Sequence, residues 1–339
     1  MYKWLESSLS TVLQDRSQLS HAMLIRGPRG IGKQAFGMAL AQGLLCEKSG
    51  TGGLACGNCK ACAWFDTGAH PDFRQLAPLT GEETVVEGDE IAPKTKDTKA
   101  SPWISIEQVR ELYDFINVSS HRGGRKVILV NPAEALNVAA ANALLKSLEE
   151  PPAQIHFILI SHRPQRLMRT IISRCRQFGL HAPDPGVALS WLTERGVKDP
   201  VVALAQASGA PLLALAMIED DELAGRHDLL RAISSPDFDP LAVAENFRDL
   251  PLERFINWLQ KWTCDIVEQR MLGRIRYNPD MSRELVLIAK RIEPLAALRL
   301  HRKLVREQRN IHHPLNLRLY MESVLFAYSA LLNPVRRAA

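Results

Sequence analysis

The chain has 339 residues, of which 46% are hydrophobic, and its formal net charge is +5. This length exceeds one ordinary hydrophobic core and predicts two or three domains. No apolar run is long enough to span a membrane and no secretory signal pattern is present, so we expect a cytoplasmic protein. The mild positive charge permits contact with nucleic acid but does not demonstrate it.

The first motif is a glycine-rich loop at residues 27–33, with the sequence Gly-Pro-Arg-Gly-Ile-Gly-Lys. An apolar strand predicted at residues 22–26 precedes it, and a helical stretch at residues 34–45 follows it. In this context, backbone N–H groups and a lysine can hold nucleotide phosphates. A tight turn without a ligand is the alternative explanation. The candidate nucleotide-binding residues are Gly27, Gly30, Gly32 and Lys33.

The residues that would complete an ATPase site are missing. Gln34 stands where a Ser or Thr hydroxyl would bind the magnesium ion of the nucleotide. A strand predicted at residues 127–131 ends at Asn131, and Pro132 follows it. In an active ATPase these two positions hold acids that bind the metal and orient the attacking water. Lys33 could still contact a phosphate, but we expect metal binding to be impaired and hydrolysis to be absent.

Four of the six cysteines are closely spaced. They are Cys46, Cys56, Cys59 and Cys62. Two-residue spacers let thiolates converge on one ion, and Gly57 permits the tight turn that this requires. The spacing favours structural zinc, because four thiolates leave no open position for a reacting water. An iron–sulfur cluster would need a further Cys-Pro, and disulfides would need an oxidising compartment. Cys175 and Cys264 are expected to be small buried residues in apolar surroundings.

The remaining pattern predicts an α/β domain followed by helices. Further strands are predicted at residues 73–77 and 156–161, and they alternate with helical segments as in a parallel sheet. Residues 80–102 are first acidic and then basic, which predicts a mobile surface insertion. Beyond a proline-rich break the pattern is helical throughout. The predicted domains are 1–182, 183–222 and 223–339.

Two segments carry a family resemblance. Residues 142–152, Asn-Ala-Leu-Leu-Lys-Ser-Leu-Glu-Glu-Pro-Pro, and residues 171–176, Ile-Ile-Ser-Arg-Cys-Arg, closely resemble bacterial clamp-loader subunits of the AAA+ superfamily. The resemblance starts near Leu19, includes the phosphate loop and the cysteines, and weakens beyond about residue 220. It implies an AAA+ P-loop domain with an inserted zinc module at residues 46–62, then a small helical lid and an all-α C-terminal collar that joins subunits in a ring.

Within that family, an intact phosphate loop and an acidic strand end mark the ATP-hydrolysing gamma or tau subunit. The lost acids beside a complete Ser173-Arg174-Cys175 resemble the non-hydrolysing member instead. The resemblance implies that Arg174 is an arginine finger acting in trans on ATP held by a neighbouring gamma or tau subunit. The other implied partners are the delta subunit, the sliding clamp and primer-template DNA, within the DNA polymerase III holoenzyme.

Two more positions bear on hydrolysis. Ser161 is either the family's sensor of the gamma-phosphate or a simple strand-end residue, and Leu212 replaces the arginine expected in the sensor-two region of an active subunit. Two alternatives stay open. One is an active gamma- or tau-like ATPase that uses Lys33 and Glu134, and the other is a zinc-dependent nucleic-acid-binding module with a vestigial phosphate loop. The basic residues and histidines at 299–313 are best explained by a solvated helix face.

Overall fold

The computed structural model describes all residues except 15, 17–18, 49, 80–100, 122–123, 153, 309–315 and 334–339. The chain divides into two compact units, Met1–Pro183 and Asp184–Ala339. The insertion predicted at residues 80–102 lies outside the described residues except for its last two positions. Arg309, His312 and His313 of the basic stretch also lie outside them. The separation of a lid from a collar within the second unit stays a prediction.

A five-stranded parallel sheet forms the centre of the first unit, in the order β2-β3-β4-β1-β5. The strands are β1 (Ala22–Arg26), β2 (Phe73–Leu76), β3 (Lys126–Val130), β4 (Ile155–Ser161) and β5 (Arg176–Gly179). All residues of β3 and β4 are buried, and their Val, Ile and Leu runs are typical of parallel strands covered on both faces. In the register, Leu24 of β1 lies beside Leu159 of β4.

Helices cover both faces of this sheet. They are α1 (Lys3–Gln14), α2 (Lys33–Leu45), α3 (Lys60–Asp66), α4 (Ile106–Asn117), α5 (Val138–Glu149) and α6 (Arg169–Arg174). Alternate strand residues such as Ile128 and Leu159 share a core with residues of α4, α5 and α6. Their neighbours Leu129 and Ile160 point to the other face, where α2 packs so closely that a Cβ on Gly37 would lie 2.8 Å from Ile160 Cδ1.

Side-chain caps set where α4 and α5 begin. Ser105 Oγ accepts the backbone N–H of Gln108, and the Gln108 side chain accepts the backbone N–H of Ser105, which is a capping box. Asn137 Oδ1 accepts the backbone N–H of Ala140 at 2.8 Å and begins α5. These caps satisfy backbone N–H groups in the first turns of α4 and α5 and so fix the residues at which the two helices begin.

The described part of the second unit contains helices and no strands. They are α7 (Pro185–Thr193), α8 (Pro200–Gln206), α9 (Pro211–Glu219), α10 (Glu222–Ser234), α11 (Pro240–Asn246), α12 (Leu252–Leu272), α13 (Ser282–Arg291), α14 (Pro294–Glu307) and α15 (Leu317–Leu332). The long helix α12 is the centre of its core, with Phe255, Trp258 and Trp262 buried. Trp262 Nε1 donates to Tyr328 Oη on α15 at 2.9 Å.

A buried polar cluster also joins elements of the second unit. Asp265 on α12 accepts backbone N–H groups from residues 276–278, including that of Asn278 at 2.8 Å. Asn278 Oδ1 in turn accepts from Gln206 on α8 at 2.9 Å and from Arg226 on α10 at 2.6 Å. The cluster therefore ties α8, in the predicted lid, to α10 and α12. Buried polar groups that satisfy one another in this way fix one arrangement of the helices.

No single helix in the described part of the chain has both the length and the apolar composition needed to cross a membrane. Among the residues that the structure describes, α8 and α9 meet these two criteria only as a pair, across a bend of 107°.

Candidate functional site

The phosphate loop connects β1 to α2, as the sequence predicts, and α1 packs directly against it. Gly32 has φ +93° and precedes the first residue of α2, and a Cβ there would lie 2.9 Å from the Tyr2 ring. A Cβ on Gly27 would lie 2.3 Å from the carbonyl oxygen of Leu180. Trp4 Nε1 donates to the carbonyl of Ile31 at 3.0 Å. These glycines are therefore required by close packing as well as by loop conformation.

Lys33 is turned inward and bound by its own loop. The residue is 2% exposed, and its ammonium donates to the carbonyl oxygen of Pro28. Burial lowers the pKa of Lys33 to about 8, and the nearby negative charge of Glu134 opposes this change. A phosphate would have to replace the Pro28 carbonyl as the partner of this ammonium.

The positions of the metal-binding and catalytic acids lie at the end of β3, as predicted. Asn131 is half-buried, and its backbone N–H donates to the carbonyl of Leu76 at 2.9 Å. The peptide bond between Asn131 and Pro132 is cis. Gln34 lies in the first turn of α2 with an exposed side chain. None of the three residues is a carboxylate or a hydroxyl, which are the groups that hold magnesium and water in an active site.

Glu134 reaches this region from a single helical turn at Ala133–Ala135. Its Oε1 accepts the backbone N–H groups of His162 at 2.8 Å and Arg163 at 3.1 Å. Its Oε2 is buried and has no hydrogen-bond partner in the described part of the chain. Burial, followed by the charge of Lys33, lowers the pKa of His162 to about 4, so this ring is neutral at pH 7. The sequence offered little signal for this placement, because Glu134 lies three residues beyond Asn131.

Ser161 is the last residue of β4 and is completely buried. Its Oγ accepts the backbone N–H of Arg163 at 3.2 Å, so the hydroxyl stabilises the turn after the strand. Leu212, the second residue of α9, belongs to the other compact unit. The hydrogen bond of Ser161 gives physical support to its interpretation as a strand-end residue.

Arg174 is the last residue of α6 and forms an ion pair with Glu149, the last residue of α5. Arg174 Nη1 also donates to the carbonyl of Thr170 at 3.0 Å. One third of the Arg174 side chain is exposed, so the guanidinium lies at the surface of the unit. The following residue, Cys175, is buried, as expected. A guanidinium in this position is accessible to a group outside the chain.

The four clustered cysteines converge on one point. Their four Sγ atoms all lie within 4.8 Å of one another. The Sγ atoms of Cys46 and Cys59 are 3.9 Å apart, and those of Cys59 and Cys62 are 3.5 Å apart. A tetrahedral zinc site with 2.3 Å bonds has sulfur atoms about 3.8 Å apart. The arrangement therefore fits a metal ion of this type, and the six cysteines are all free thiols rather than disulfides.

Local structure brings the four thiols together. Cys46 follows the last residue of α2, and its Sγ accepts the backbone N–H of Cys56 at 3.3 Å. Cys59 caps α3 by accepting the backbone N–H of Cys62. Burial acts to raise the pKa of Cys59. The backbone N–H of Cys62 and the neighbouring thiols donate hydrogen bonds that stabilise its thiolate, and their larger combined effect lowers the pKa to about 7. Burial and Cys59 raise the pKa of Cys62 to about 12, so a second thiolate needs a cation beside it.

The surroundings of Cys264 are not the apolar ones that the sequence predicted. It is half-buried, and its Sγ lies 3.8 Å from Glu268 Oε1, the acceptor one turn later on α12. Burial and the charges of Glu268 and Asp265 raise the pKa of Cys264. The thiol is therefore kept protonated by carboxylates as well as by burial, which residue spacing alone does not reveal.

The fold and the site define the class of protein. A parallel sheet in the order β2-β3-β4-β1-β5, a glycine-rich loop between β1 and α2, and a surface arginine at the end of α6 make this a P-loop protein with an AAA+-like fold. Its C-terminal half is helical, and its cysteine cluster is inserted between α2 and α3. The fold class predicted from the sequence is confirmed.

Comparisons with known proteins identify the family. The family model described as "DNA polymerase III, delta subunit" matches residues 4–184. The DNA polymerase III subunit delta' of Pseudomonas aeruginosa is 32% identical, over 98% of this chain and 99% of that protein. The subunit delta' of Escherichia coli is 31% identical, over 86% of this chain and 84% of that protein. This chain belongs to the family of DNA polymerase III delta' subunits, and the resemblance stated from the sequence is confirmed.

Two other similarities are more distant. The tau subunit of DNA polymerase III from Escherichia coli is 35% identical over 49% of this chain and 22% of that protein. The crystal structure of a gamma-subunit-related protein from Thermotoga maritima gives a TM-score of 0.47 at 16% identity, covering 96% of this chain and 99% of that one.

Proposed function

We propose that this chain is the non-hydrolysing subunit of the clamp loader of DNA polymerase III and helps to load the sliding clamp onto primed DNA. One observation carries the proposal: the positions for ATP hydrolysis hold Gln34, Asn131 and Pro132, whereas Arg174 lies at the surface. A subunit built in this way contributes to a neighbour's ATP site and not to its own. We place it in the cytoplasm with the rest of the replication machinery.

The loss of hydrolysis follows from the chemistry of the three positions. A side-chain amide binds magnesium weakly, and proline has no group that can orient or deprotonate water. Lys33 is already bound to the Pro28 carbonyl, and α1 closes over the loop through Trp4. A nucleotide would therefore have to displace internal contacts before it met an incomplete metal site.

Arg174 would act in trans. Its guanidinium is permanently charged and can bind two phosphate oxygens, which stabilises the negative charge that develops as the gamma-phosphate is transferred. To do so, the side chain must leave Glu149 and extend from the end of α6 toward a neighbouring gamma or tau subunit. The partial exposure of the ion pair is consistent with this movement.

Zinc would have a structural role in this protein. Cys46, Cys56, Cys59 and Cys62 would hold the ion, and it would supply the cross-link that joins the end of α2 to the start of α3. Four thiolates leave no coordination site for water. The binding free energy of such a site is part of the folding free energy of the segment.

The second unit would provide the lid and the collar. We propose a lid over residues 183–222 and a collar over 223–339 that packs against gamma or tau and delta subunits. The exposed apolar residues Leu319 and Phe326 lie two turns apart on α15 and could serve such packing. Contact with the sliding clamp and primer-template DNA would occur through the assembled complex.

The active ATPase is the main alternative, and one observation favours it. Glu134 Oε2 is buried without a partner, and Glu134 is close enough to Lys33 to raise its pKa. A carboxylate placed there could replace a missing acid. A nucleic-acid-binding module with a vestigial loop would instead show DNA binding by the isolated chain that weakens steeply with added salt.

Reconstitution separates these functions. The chain is assembled with purified gamma or tau, delta and clamp, and DNA-stimulated ATPase and clamp loading are measured. We expect Lys33→Ala to leave both rates unchanged and Arg174→Ala to slow both, with clamp loading affected more than total ATPase because a loader has several ATP sites. Arg176→Ala, two residues further along, is the matched control. Normal assembly and normal loading by Arg174→Ala would contradict the role in trans.

A further inference from the structure

Glu134 lies where the carboxyl ends of three adjacent strands meet. β3, β4 and β1 are neighbours in the sheet and run parallel. The phosphate loop follows β1, the turn Ala133–Ala135 follows β3, and His162 and Arg163 follow β4. In open parallel α/β sheets, ligands bind at this edge. Glu134 is therefore a carboxylate at the ligand-binding edge of the sheet.

Two successive backbone N–H groups hold this carboxylate. Glu134 Oε1 accepts the N–H of His162 at 2.8 Å and that of Arg163 at 3.1 Å. Successive N–H groups that converge on one acceptor form a concave site for an anion such as phosphate. In this chain a side chain of the protein occupies that site, so these two donors are not available to a nucleotide.

Cations surround the same carboxylate. Burial lowers the pKa of Lys33, and the charge of Glu134 acts against this effect. Burial and the charge of Lys33 lower the pKa of His162, and Glu134 again acts in the opposite direction. Arg29 and Arg163 lower it further by smaller amounts. A group of cations beside a phosphate loop favours a bound phosphate, and here Glu134 supplies the negative charge in its place.

The second carboxylate oxygen carries its charge without a hydrogen-bond donor. Glu134 Oε2 is buried and has no hydrogen-bond partner among the described residues. A phosphate that approached Lys33 would be repelled by this charge, because like charges repel strongly in a partly buried site. In an active ATPase, magnesium offsets such repulsion, but Gln34 and Asn131 do not provide the magnesium ligands.

We propose that Glu134 is an internal substitute for a nucleotide phosphate: its carboxylate holds the N–H groups of His162 and Arg163 and keeps ATP out of the phosphate loop. The missing magnesium ligands remove hydrolysis, and Glu134 makes nucleotide binding itself unfavourable. This inference rests on the proposed non-hydrolysing function, since a chain that turned ATP over would need the same loop to be open.

Two other roles for Glu134 have different consequences. If it were a catalytic acid or a metal ligand, its replacement would abolish turnover without tightening the binding of ATP. If it only fixed the turn after β4, its replacement would lower stability and create no affinity for ATP. A substitute for phosphate differs from both, because removal of its charge creates affinity.

The test is calorimetric titration of the full-length chain with ATP, ADP and AMP, in buffer without magnesium. Glu134→Gln removes the charge but keeps an amide oxygen that can accept the same N–H groups. We expect this variant to bind ATP at least about tenfold more tightly than the parent does. The gain should be smaller for ADP and absent for AMP, because the lysine of a phosphate loop reaches the β- and γ-phosphates.

Three further variants locate the effect. Glu134→Asp keeps the charge and should show no gain. Glu111→Gln, the same charge change at an exposed position of α4, should bind ATP as the parent does. The double variant Glu134→Gln with Lys33→Met should lose the gain, because the new binding depends on the phosphate loop. The thermal midpoint and the zinc content establish that each variant is folded.

Any of four results would overturn the proposal. Folded Glu134→Gln could bind ATP no more tightly than the parent, or Glu134→Asp could gain as much affinity. The gain could survive in the double variant. The parent could bind ATP more tightly than AMP, with the difference lost in Lys33→Met, and this comparison does not depend on the folding of any Glu134 variant. ATP turnover by the parent would contradict the proposed function, whereas unchanged affinity of Glu134→Gln without turnover would contradict this inference alone.

Discussion

Arg174 and Glu149 pair across the ends of α6 and α5, and both side chains remain in contact with solvent. One third of Arg174 and about half of Glu149 are exposed. An exposed ion pair of this kind contributes only about 0.2–1 kcal/mol. The contact therefore holds the arginine in a folded-back position, but exchange of Glu149 for the phosphate oxygens of a neighbouring subunit costs little. The ion pair therefore favours the folded-back conformation of Arg174 only weakly, and the side chain can still extend.

Glu149→Gln is the first variant that this relationship suggests. It removes the charge that competes with phosphate for Arg174, so the extended arginine becomes more populated. We expect DNA-stimulated ATPase of the reconstituted loader to be equal to the parent rate or up to about fivefold higher, the limit set by a pair worth at most 1 kcal/mol. The thermal midpoint should hardly change.

Glu150→Gln is the matched control, because it makes the same charge change one residue later at an exposed position. The double variant Glu149→Gln with Arg174→Ala should have the rate of Arg174→Ala alone. If Glu149→Gln instead slowed the ATPase as much as Arg174→Ala, the glutamate would position the arginine for catalysis and the restraint model would be wrong.

Cys59→Ser tests the metal site. Parent protein should contain about one equivalent of zinc per chain, because the four thiolates form a closed site whose binding contributes to folding. Loss of one ligand should remove most of the zinc and lower the thermal midpoint of the first unit. Cys264→Ser, outside the cluster, should keep full zinc content. Elemental analysis is the measurement, and iron with sulfide in the parent would contradict the zinc assignment.

Local signals in the sequence account for much of this fold. Strands β3 and β4 were predictable because each is a continuous apolar run, and the cysteine cluster was predictable because its spacing is short. The strand β5 was not predicted. None of its four residues, Arg176–Gly179, is buried and they form no apolar run, so the segment becomes a strand only because Met23 and its neighbours in β1 offer an unpaired edge.

The contacts that decide the site are long-range and have no local pattern. Glu134 accepts hydrogen bonds from the backbone N–H groups of His162 and Arg163, which lie 28 and 29 positions away and directly follow β4. Lys33 turns toward Pro28, although the loop motif alone predicts that it faces a ligand. The polar cluster around Asp265 joins residues 11 to 72 positions apart. Such partners become visible only when the chain is folded.

The isolated chain should hydrolyse ATP no faster than background, and Lys33→Ala should not change this. The metal ligands are missing at Gln34 and Asn131, and the lysine is held by the loop. Phosphate release from purified chain with and without primed DNA is the measurement. Turnover that disappears in both Lys33→Ala and Glu134→Gln, but persists in the exposed control Glu107→Gln, would establish the active ATPase in place of the proposed function.

Lys261 on α12 provides a pH-dependent test of the second unit. Its ammonium donates to Gln206 Oε1 at 3.3 Å, in the buried cluster that joins α8 to α12. Burial lowers the pKa of Lys261 to about 8, with Glu222 opposing and Arg226 adding to the change. The folded chain therefore releases this proton near pH 8, whereas the unfolded chain keeps it until about pH 10.4.

Because the unfolded chain binds more protons between these values, this lysine makes the free energy of unfolding rise with pH from about 8 to 10. Below pH 8 the Lys261 ammonium is charged in both the folded and the unfolded chain, so the folded chain is destabilised by the full free energy of burying that charge. Lys261→Met removes both the buried charge and its titration.

We expect the variant to be more stable than the parent at pH 7. This difference in the free energy of unfolding should be smaller at pH 10, by on the order of 1–2 kcal/mol. Urea unfolding at the two pH values measures the difference, with Lys290→Met, an exposed lysine of α13, as control. An equal effect of Lys261→Met at both pH values would show that the ammonium is not buried in the folded protein.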